Sequence, residues 1–405
     1  MNEARERILS QFKPVQTETV HLTDSSNRVL GDDVRAAQDL PLFDNSSMDG
    51  FAVRAADVID ATLDSPRRLR VVADIPAGAS PTVSLAPGQA ARIMTGAQMP
   101  DGADSVVPVE DTDFNDRSSG TNAPEEVQIL KSAKLGDNIR RRGLDIHAGD
   151  VVMHKGRQLK PQDLGLLAML GISQVLIHRR PRIALLSSGD ELIDIDAPLE
   201  AGKIRESNSY MIAALIENMG AEVLRLGVAK DNFESVKALF EKAIDLNVDL
   251  ILSSAGVSVG AFDYIKDVIE ANGKMDFWRV NMRPGKPLAF GNYRGIPVLG
   301  LPGNPVSAYV SFEVFVHPTI ARLRGLLDGS RPTVRVRSEE QIDSDGRESY
   351  LRAQVQEENG VLFARLTGHQ GSGNLHSLVR ANALLIIPAG VKCVPAGQEI
   401  TAWLL

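Results

Sequence analysis

Between residues 181 and 325, short apolar runs alternate with segments of helical period, the pattern of strands and helices taking turns in an α/β domain. Arg182–Ser188 reads as a strand that ends in Gly-Asp-Glu. Ile212, Leu215, Ile216 and Met219 then fall at i, i+3, i+4 and i+7, which predicts a helix stopped by Gly220. Glu222–Ala229 reads as the second strand. Asp231 with Glu234 three residues on reads as a capping box, opening a helix whose inner face is Val236, Leu239, Phe240 and Ala243. A third strand over 249–254 leads into a Gly-containing loop, a helix over about 263–271 and a strand over 276–280. A hairpin-like pair, 288–290 and 297–301, delivers the chain to Pro302-Gly303-Asn304-Pro305, with Asn304 as N-cap and Pro305 as first helical residue.

Elsewhere the texture differs. Residues 4–12 predict a short amphipathic helix, followed by extended segments at 20–22 and 28–34. Residues 44–139 hold short β runs at 69–75, 89–94, 105–109 and 127–130, separated by Gly and Pro. Residues 151–158 resemble a hairpin, and 161–171 a helix with Pro at its start and Gly at its end. Beyond 326 the pattern returns to period two, with an Asn359-Gly360 turn between 351–356 and 361–366. The reading is a multidomain α/β protein: a central, doubly wound, mostly parallel α/β domain, two small β-rich domains and a short N-terminal helical and extended domain. The expected boundaries are 21–43 with 139–177 for a small mixed domain, 44–138 for a β-rich domain, 1–20 with 178–326 for the α/β domain, and 327–405 for a C-terminal β-barrel-like domain.

Composition narrows the function. Hydrophobic residues are 43% and charged residues 24%, an ordinary globular balance that argues against disorder. Lys+Arg 44 against Asp+Glu 52 gives a net charge of -8, which disfavours a nucleic-acid backbone or an anionic membrane as chief partner. The single cysteine, Cys393, excludes an intrachain disulfide and a CxxC zinc site, fits a cytoplasmic setting, and reads as a core residue. The N-terminal MNEARERILSQF has no apolar core of a secretory leader. Seven histidines without ligand spacing give no support to a protein-coordinated transition metal. No GxSxG elbow, Walker loop or post-strand GxGxxG is present.

Ligands of open α/β sheets bind beyond the carboxyl ends of the strands. Gly189-Asp190-Glu191, Asp231, the loop through Gly256, Ser258 and Gly260 to Asp263, and Pro302-Gly303-Asn304 all fall at such ends. The glycine loops suit an oxyanion, or serve only tight turns. Carboxylates at 190, 191, 231 and 263 would repel one another unless a cation lies among them, most simply Mg²⁺. Each has a plainer reading too, Asp231 as a cap and Asp190 as a turn residue. Lys286, in Arg283-Pro284-Gly285-Lys286-Pro287, would bring positive charge to the same edge, with solvated surface charge as the alternative. Arg140-Arg141-Arg142 reads as a solvated face unless Asp145 orients part of it.

Taken together, the motifs resemble the molybdopterin molybdenumtransferase family, the bacterial molybdenum-insertion enzymes related to the E domain of gephyrin. The resemblance spans nearly the whole chain. It rests on Asp44-Asn45-Ser46-Ser47-Met48-Asp49-Gly50-Phe51-Ala52, Arg92-Ile93-Met94-Thr95-Gly96-Ala97, Gly102-Ala103-Asp104 with Glu110, Asn138 to Gly143, Ser188-Gly189-Asp190-Glu191-Leu192, Gly256-Val257-Ser258-Val259-Gly260, Arg283 to Pro287, and Leu301-Pro302-Gly303-Asn304-Pro305-Val306-Ser307-Ala308. It implies that adenylylated molybdopterin and molybdate are substrates and that AMP leaves with the finished cofactor, in a Mg²⁺-dependent reaction. The pterin's dithiolene sulfurs would be the soft ligands of molybdenum, so the protein needs no Cys cluster.

The resemblance also assigns roles. Asp49, Thr95 and Asp145 match family active-site residues before the α/β domain, and Glu191, Asp231, Asp263 and Lys286 match those on it, with Glu191, Asp231 and Asp263 around the metal. Ser188, Gly189, Asp190, Gly256, Ser258, Gly260, Arg283, Pro302, Gly303, Asn304 and Ser307 are expected to line the ligand. The two sets are expected to come from different subunits of a head-to-tail homodimer, with an adenylyltransferase and apo-molybdoenzymes as further partners. Without the resemblance, Asp49 reads as a turn residue and Thr95 as a strand-end hydroxyl capping its own backbone. Ala255, Ser188, Leu144, Arg283, Asn232 and Ala261-Phe262 depart from the commoner family residues. Two other functions compete: a scaffold of the gephyrin type, and the related molybdopterin adenylyltransferase.

Overall fold

A computed structural model describes residues 1–114, 120–254 and 264–405. They fall into two units, one of residues 1–32, 155–164 and 173–405, the other of 33–154 and 165–172.

In the first unit, β1 (Arg182–Ser188), β2 (Glu222–Ala229), β3 (Leu250–Ser254), β4 (Gly273–Arg279), β5 (Pro287–Tyr293) and β6 (Ile296–Leu301) form one sheet in the order β2-β1-β3-β6-β5-β4. The first four of that order run parallel, and β5 and β4 are added antiparallel. Side chains alternate across it as a strand's period of two requires. Ile183 and Leu185 face a core shared with α1 (Asn2–Ser10), α2 (Asn208–Asn218) and α5 (Pro305–Ser311). Ala184 and Leu186 face the opposite core, with α3 (Phe233–Asp245) and α4 (Tyr264–Asn272). Helices on both faces make the domain doubly wound, and each such fully buried large apolar side chain contributes about 1.5–3 kcal/mol.

Register fixes the working edge. Ser188 pairs with Ala229, Ser187 with Ser254, and Ser254 with Leu301, so β1, β2, β3 and β6 all end on one side of the sheet. The expected capping box is corrected here. Asn232, with extended backbone, caps α3 by accepting from the Ser235 N–H at 2.8 Å, while Asp231 lies one residue too early to reach that turn. Past α5 the helix continues through a π-turn, Phe312–Val316, into the helix His317–Leu323. Glu313 in that turn is 2% exposed and takes a double hydrogen bond from Arg331, one arm at 2.7 Å.

A six-stranded C-terminal sheet holds the hairpin Glu348–Glu358 to Val361–Leu366, turned by Asn359 and Gly360 at φ 51° and 78°. Both values are those a type I′ turn demands. Cys393, expected in the core, is exposed: it is paired with Asp343 on a two-residue strand, and its neighbour Val394 takes the inward position.

The second unit is built on a five-stranded sheet in the order Ser105–Pro108, Gly50–Val53, Gln89–Ile93, Arg67–Ile75, Glu126–Ile129. The expected hairpin at 151–158 does not form. Val151–Met153 pairs with Val34–Arg35 instead, because arms of about three residues are too short to hold a hairpin alone. No helix among the described residues is long and apolar enough to cross a membrane.

Two stability predictions follow from these contacts. A Cβ at Gly50 would lie 2.0 Å from the Val107 carbonyl oxygen, a backbone atom that cannot step aside, so Gly50→Ala is expected to cost about 1–3 kcal/mol by urea denaturation. Arg331→Ala strands the Glu313 carboxylate in the interior and is expected to cost about 3–5 kcal/mol in the same assay.

Candidate active site

The end of β1 and the segment after β2 are joined by two matching hydrogen bonds. The Asp190 N–H donates to Asp231 Oδ2, and the Asp231 N–H donates to Asp190 Oδ1, each at 3.2 Å. Each aspartate thus holds the other's backbone at the carboxyl edge of the sheet. Asp231 can do this because Asn232 has taken over the capping of α3. Gly189 makes the approach possible with φ 147°, and the Glu191 carboxylate folds back over it, 2.5 Å from where a Cβ would stand. Ser188, at the last position of β1, is 4% exposed. Lys203 Nζ donates to the Asp190 carbonyl at 2.6 Å and brings a positive charge next to the pair.

On the neighbouring strands the turn Pro302-Gly303-Asn304 leaves β6. Asn304 occupies the N-cap position of α5 without a side-chain capping bond among the described residues, Pro305 begins the helix, and Ser307 is buried behind them. Asn208, the first residue of α2, binds this turn to β3: its Nδ2 donates to Ser254 Oγ and to the Gly303 carbonyl, both at 2.8 Å. Its Oδ1 is buried without a partner among the described residues. The sequence reading did not select Asn208. The stretch Glu206-Ser207-Asn208-Ser209 looks like an ordinary helix start, and its partners stand 46 and 95 residues away.

Lys286 is exposed at the start of β5, its carbonyl accepting the Val280 N–H at 3.0 Å. Its loop is pressed onto α5, since Gly285 has φ 105° and a Cβ there would lie 2.6 Å from Ser311 Oγ. Arg283 turns to Asp345 at 3.7 Å. The guanidinium of Arg347, and then its backbone N–H, pull the Asp345 pKa down to about 2. Arg352 is fully buried and donates to Ser377 Oγ at 3.0 Å and to the carbonyls of His369, Gln370 and Gly371. Burial, and then the charge of Arg283, lower its pKa to about 10.

In the second unit Asp49 and Thr95 meet. Asp49 Oδ1 accepts both the Thr95 N–H and the Thr95 hydroxyl at 2.7 Å. The Thr95 hydroxyl therefore serves Asp49 and not its own backbone. Reciprocal backbone bonds, Gly96 N–H to Ser46 at 2.8 Å and Ser46 N–H to Ala97 at 3.0 Å, hold the two loops together. The arginine run is not merely solvated: Arg141 pairs with Asp44 and Arg142 with Asp39, each at 2.6 Å. The Ala148 N–H, and then Arg142, hold the Asp39 carboxyl below the usual range. Asp145, the expected orienting partner, is exposed and donates its backbone N–H to Leu40 at 2.9 Å.

Gly256, Ser258, Gly260 and Asp263 lie outside the described residues. Among the described residues, no group of three or more acidic, His or Cys side chains is arranged to hold a metal ion.

Comparison with known proteins identifies the architecture. Three family models match in succession: the MoeA N-terminal region (domain I and II) over residues 1–171, a probable molybdopterin binding domain over 184–322, and the MoeA C-terminal region (domain IV) over 335–405. The chain is 41% identical over 392 residues to a molybdopterin molybdenumtransferase of a Nostoc species, covering 95% of this chain and 88% of that one. It is 39% identical to molybdopterin molybdenumtransferase 2 of Mycobacterium tuberculosis, covering 100% and 98%. A solved molybdopterin biosynthesis MoeA protein of Pyrococcus horikoshii superposes with a TM-score of 0.84 at 30% identity, covering 100% of this chain and 99% of that one. Three consecutive family matches and full-length relatives at this identity show that the chain belongs to the molybdopterin molybdenumtransferase family and is a transferase enzyme.

Proposed function

We propose that this enzyme takes adenylylated molybdopterin and molybdate, cleaves the phosphoanhydride with water, and releases AMP and molybdenum cofactor. The observation that carries the reading is the reciprocal Asp190–Asp231 contact at the ends of adjacent parallel strands, beside Glu191 and Lys203. Acidic side chains crowded at a phosphate site fit a substrate that arrives with a hard divalent cation. Glu191 and Asp231 would hold Mg²⁺ together with Asp263, the further ligand implied by the family resemblance, and the ion would supply positive charge to offset the phosphates. Lys286 supplies cationic charge to the same substrate from an exposed loop. Arg283 and the buried Arg352 provide a positive field for the molybdate dianion, since among the described residues the Arg352 guanidinium is bonded to neutral oxygens.

Asp49 and Thr95 enter from a partner copy in a head-to-tail homodimer, with Thr95 presented by its bond to Asp49. The direct test is AMP release from adenylylated molybdopterin in the presence of Mg²⁺ and molybdate. Molybdate-dependent release supports the reading, and its absence with folded enzyme overturns it.

Asp231→Asn keeps the shape of the side chain and removes its charge, and is expected to lower kcat about 100-fold or more, a loss typical of removing one electrostatic group. A shared site makes a second prediction. Asp49→Ala and Asp231→Asn homodimers are each expected to be nearly inactive, and mixing them under subunit exchange is expected to restore AMP release, because mixed dimers contain one intact site. Mixtures as inactive as the parents would rule out sharing between copies.

A further inference from the structure

Beside the working edge, at the open side of β2, lies a cavity of about 330 Å³. Leu192, Ile195 and Val228 make its apolar walls, and Glu206 lies in its lining at 5% exposure. Glu206 Oε1 accepts the Ser209 N–H at 2.8 Å and Ser187 Oγ at 3.2 Å, and Oε2 accepts the Ser209 hydroxyl. A carboxylate offers about four lone-pair positions, so one on Oε2 is left for a ligand N–H or O–H. At the rim, Arg225 lies 4.1 Å over the Tyr210 ring and donates to Ser209 Oγ at 2.7 Å. That stack is a flat, positively charged platform of the kind that takes aromatic rings.

The strand itself is shaped for the opening. The β1–β2 register slips between Leu185 and Leu186, so that Arg225 and Gly227 face consecutive residues and Leu226 is the extra one. Gly227 has φ 98° and nothing within 4 Å of a Cβ position, leaving the wall open where a side chain would otherwise stand. Bulges of this type re-aim side chains next to functional sites. Glu206 also caps the first turn of α2, and that duty uses the Ser209 N–H alone.

We infer that this cavity is a subsite for a flat nitrogen heterocycle carrying an exocyclic amino group, stacked at the Arg225–Tyr210 platform with its amino N–H on Glu206. The inference rests on the proposed function only for the source of the ring: adenylylated molybdopterin carries two, adenine and the pterin, and both have that amino group. The apolar walls and the open acceptor position on Glu206 suit either. Leu192 follows Asp190 by two residues and Val228 precedes Asp231 by three, which sets the subsite beside the phosphate end of the same ligand.

The test uses the full chain with adenosine and 6-hydroxymethylpterin as separate probes, followed by calorimetry for the first and pterin fluorescence for the second. One probe is expected to bind saturably, and Glu206→Gln and Arg225→Ala are each expected to weaken it about tenfold or more, the scale of a lost stacking or charged hydrogen bond. Val228→Trp, at an exposed rim position, fills the cavity without touching the Glu206 bonds and should abolish the same binding even if Glu206→Gln unfolds. The probe that binds names the ring. In turnover, Arg225→Ala is expected to raise KM for adenylylated molybdopterin about tenfold with little change in kcat, as for lost uniform binding. Binding of neither probe, or binding indifferent to Arg225→Ala and Val228→Trp, overturns the assignment while AMP release from the whole substrate continues to support the insertion chemistry. Ring binding without AMP release would instead leave the subsite standing and remove the proposed reaction.

Discussion

The reciprocal hydrogen bonds between Asp190 and Asp231 are the constraint around which the working edge of this enzyme is arranged. Parallel pairing of β1 and β2 ends both strands together, and the chain has put an aspartate just past each end. Their carboxylates are held in position by backbone N–H groups, which fix their geometry. The neighbouring features follow suit: Lys203 stands over the Asp190 carbonyl, and Asn208 ties the ends of β3 and β6 into the same edge.

What the sequence could reveal depended on how far apart the interacting residues lie along the chain. Strand ends were readable because the apolar runs of β1, β2 and β6 stop at Gly, Lys-Asp and Pro, and an open α/β sheet gathers those stops on one side. Adjacency of Asp190 and Asp231 follows from that logic. The Asp49–Thr95 bond does not, since its partners are 46 residues apart in loops without periodic signal, and only family resemblance drew attention to them. Asn208 stayed hidden for the same reason.

Local chemistry caused the remaining differences. Aspartate and asparagine cap helices equally well, so the sequence alone could not choose between Asp231 and Asn232, and the structure gives the duty to the asparagine and leaves the acid in contact with Asp190. Arg141 and Arg142 found Asp44 and Asp39, 97 and 103 residues earlier, in place of the nearby Asp145. Cys393 faces outward because its two-residue strand can bury only one of its pair.

The π-turn at Phe312–Val316 has a geometric effect of its own. One added residue rotates everything downstream by about 100° around the helix axis relative to an uninterrupted α-helix. Upstream of it, Val306 and Val310 lie in the core of the central sheet, and within it Glu313 reaches the arginine that leads into the C-terminal strands. The helix is thus a twisted shaft: its two halves are indexed differently, and the single surplus residue sets the angle between what each half holds.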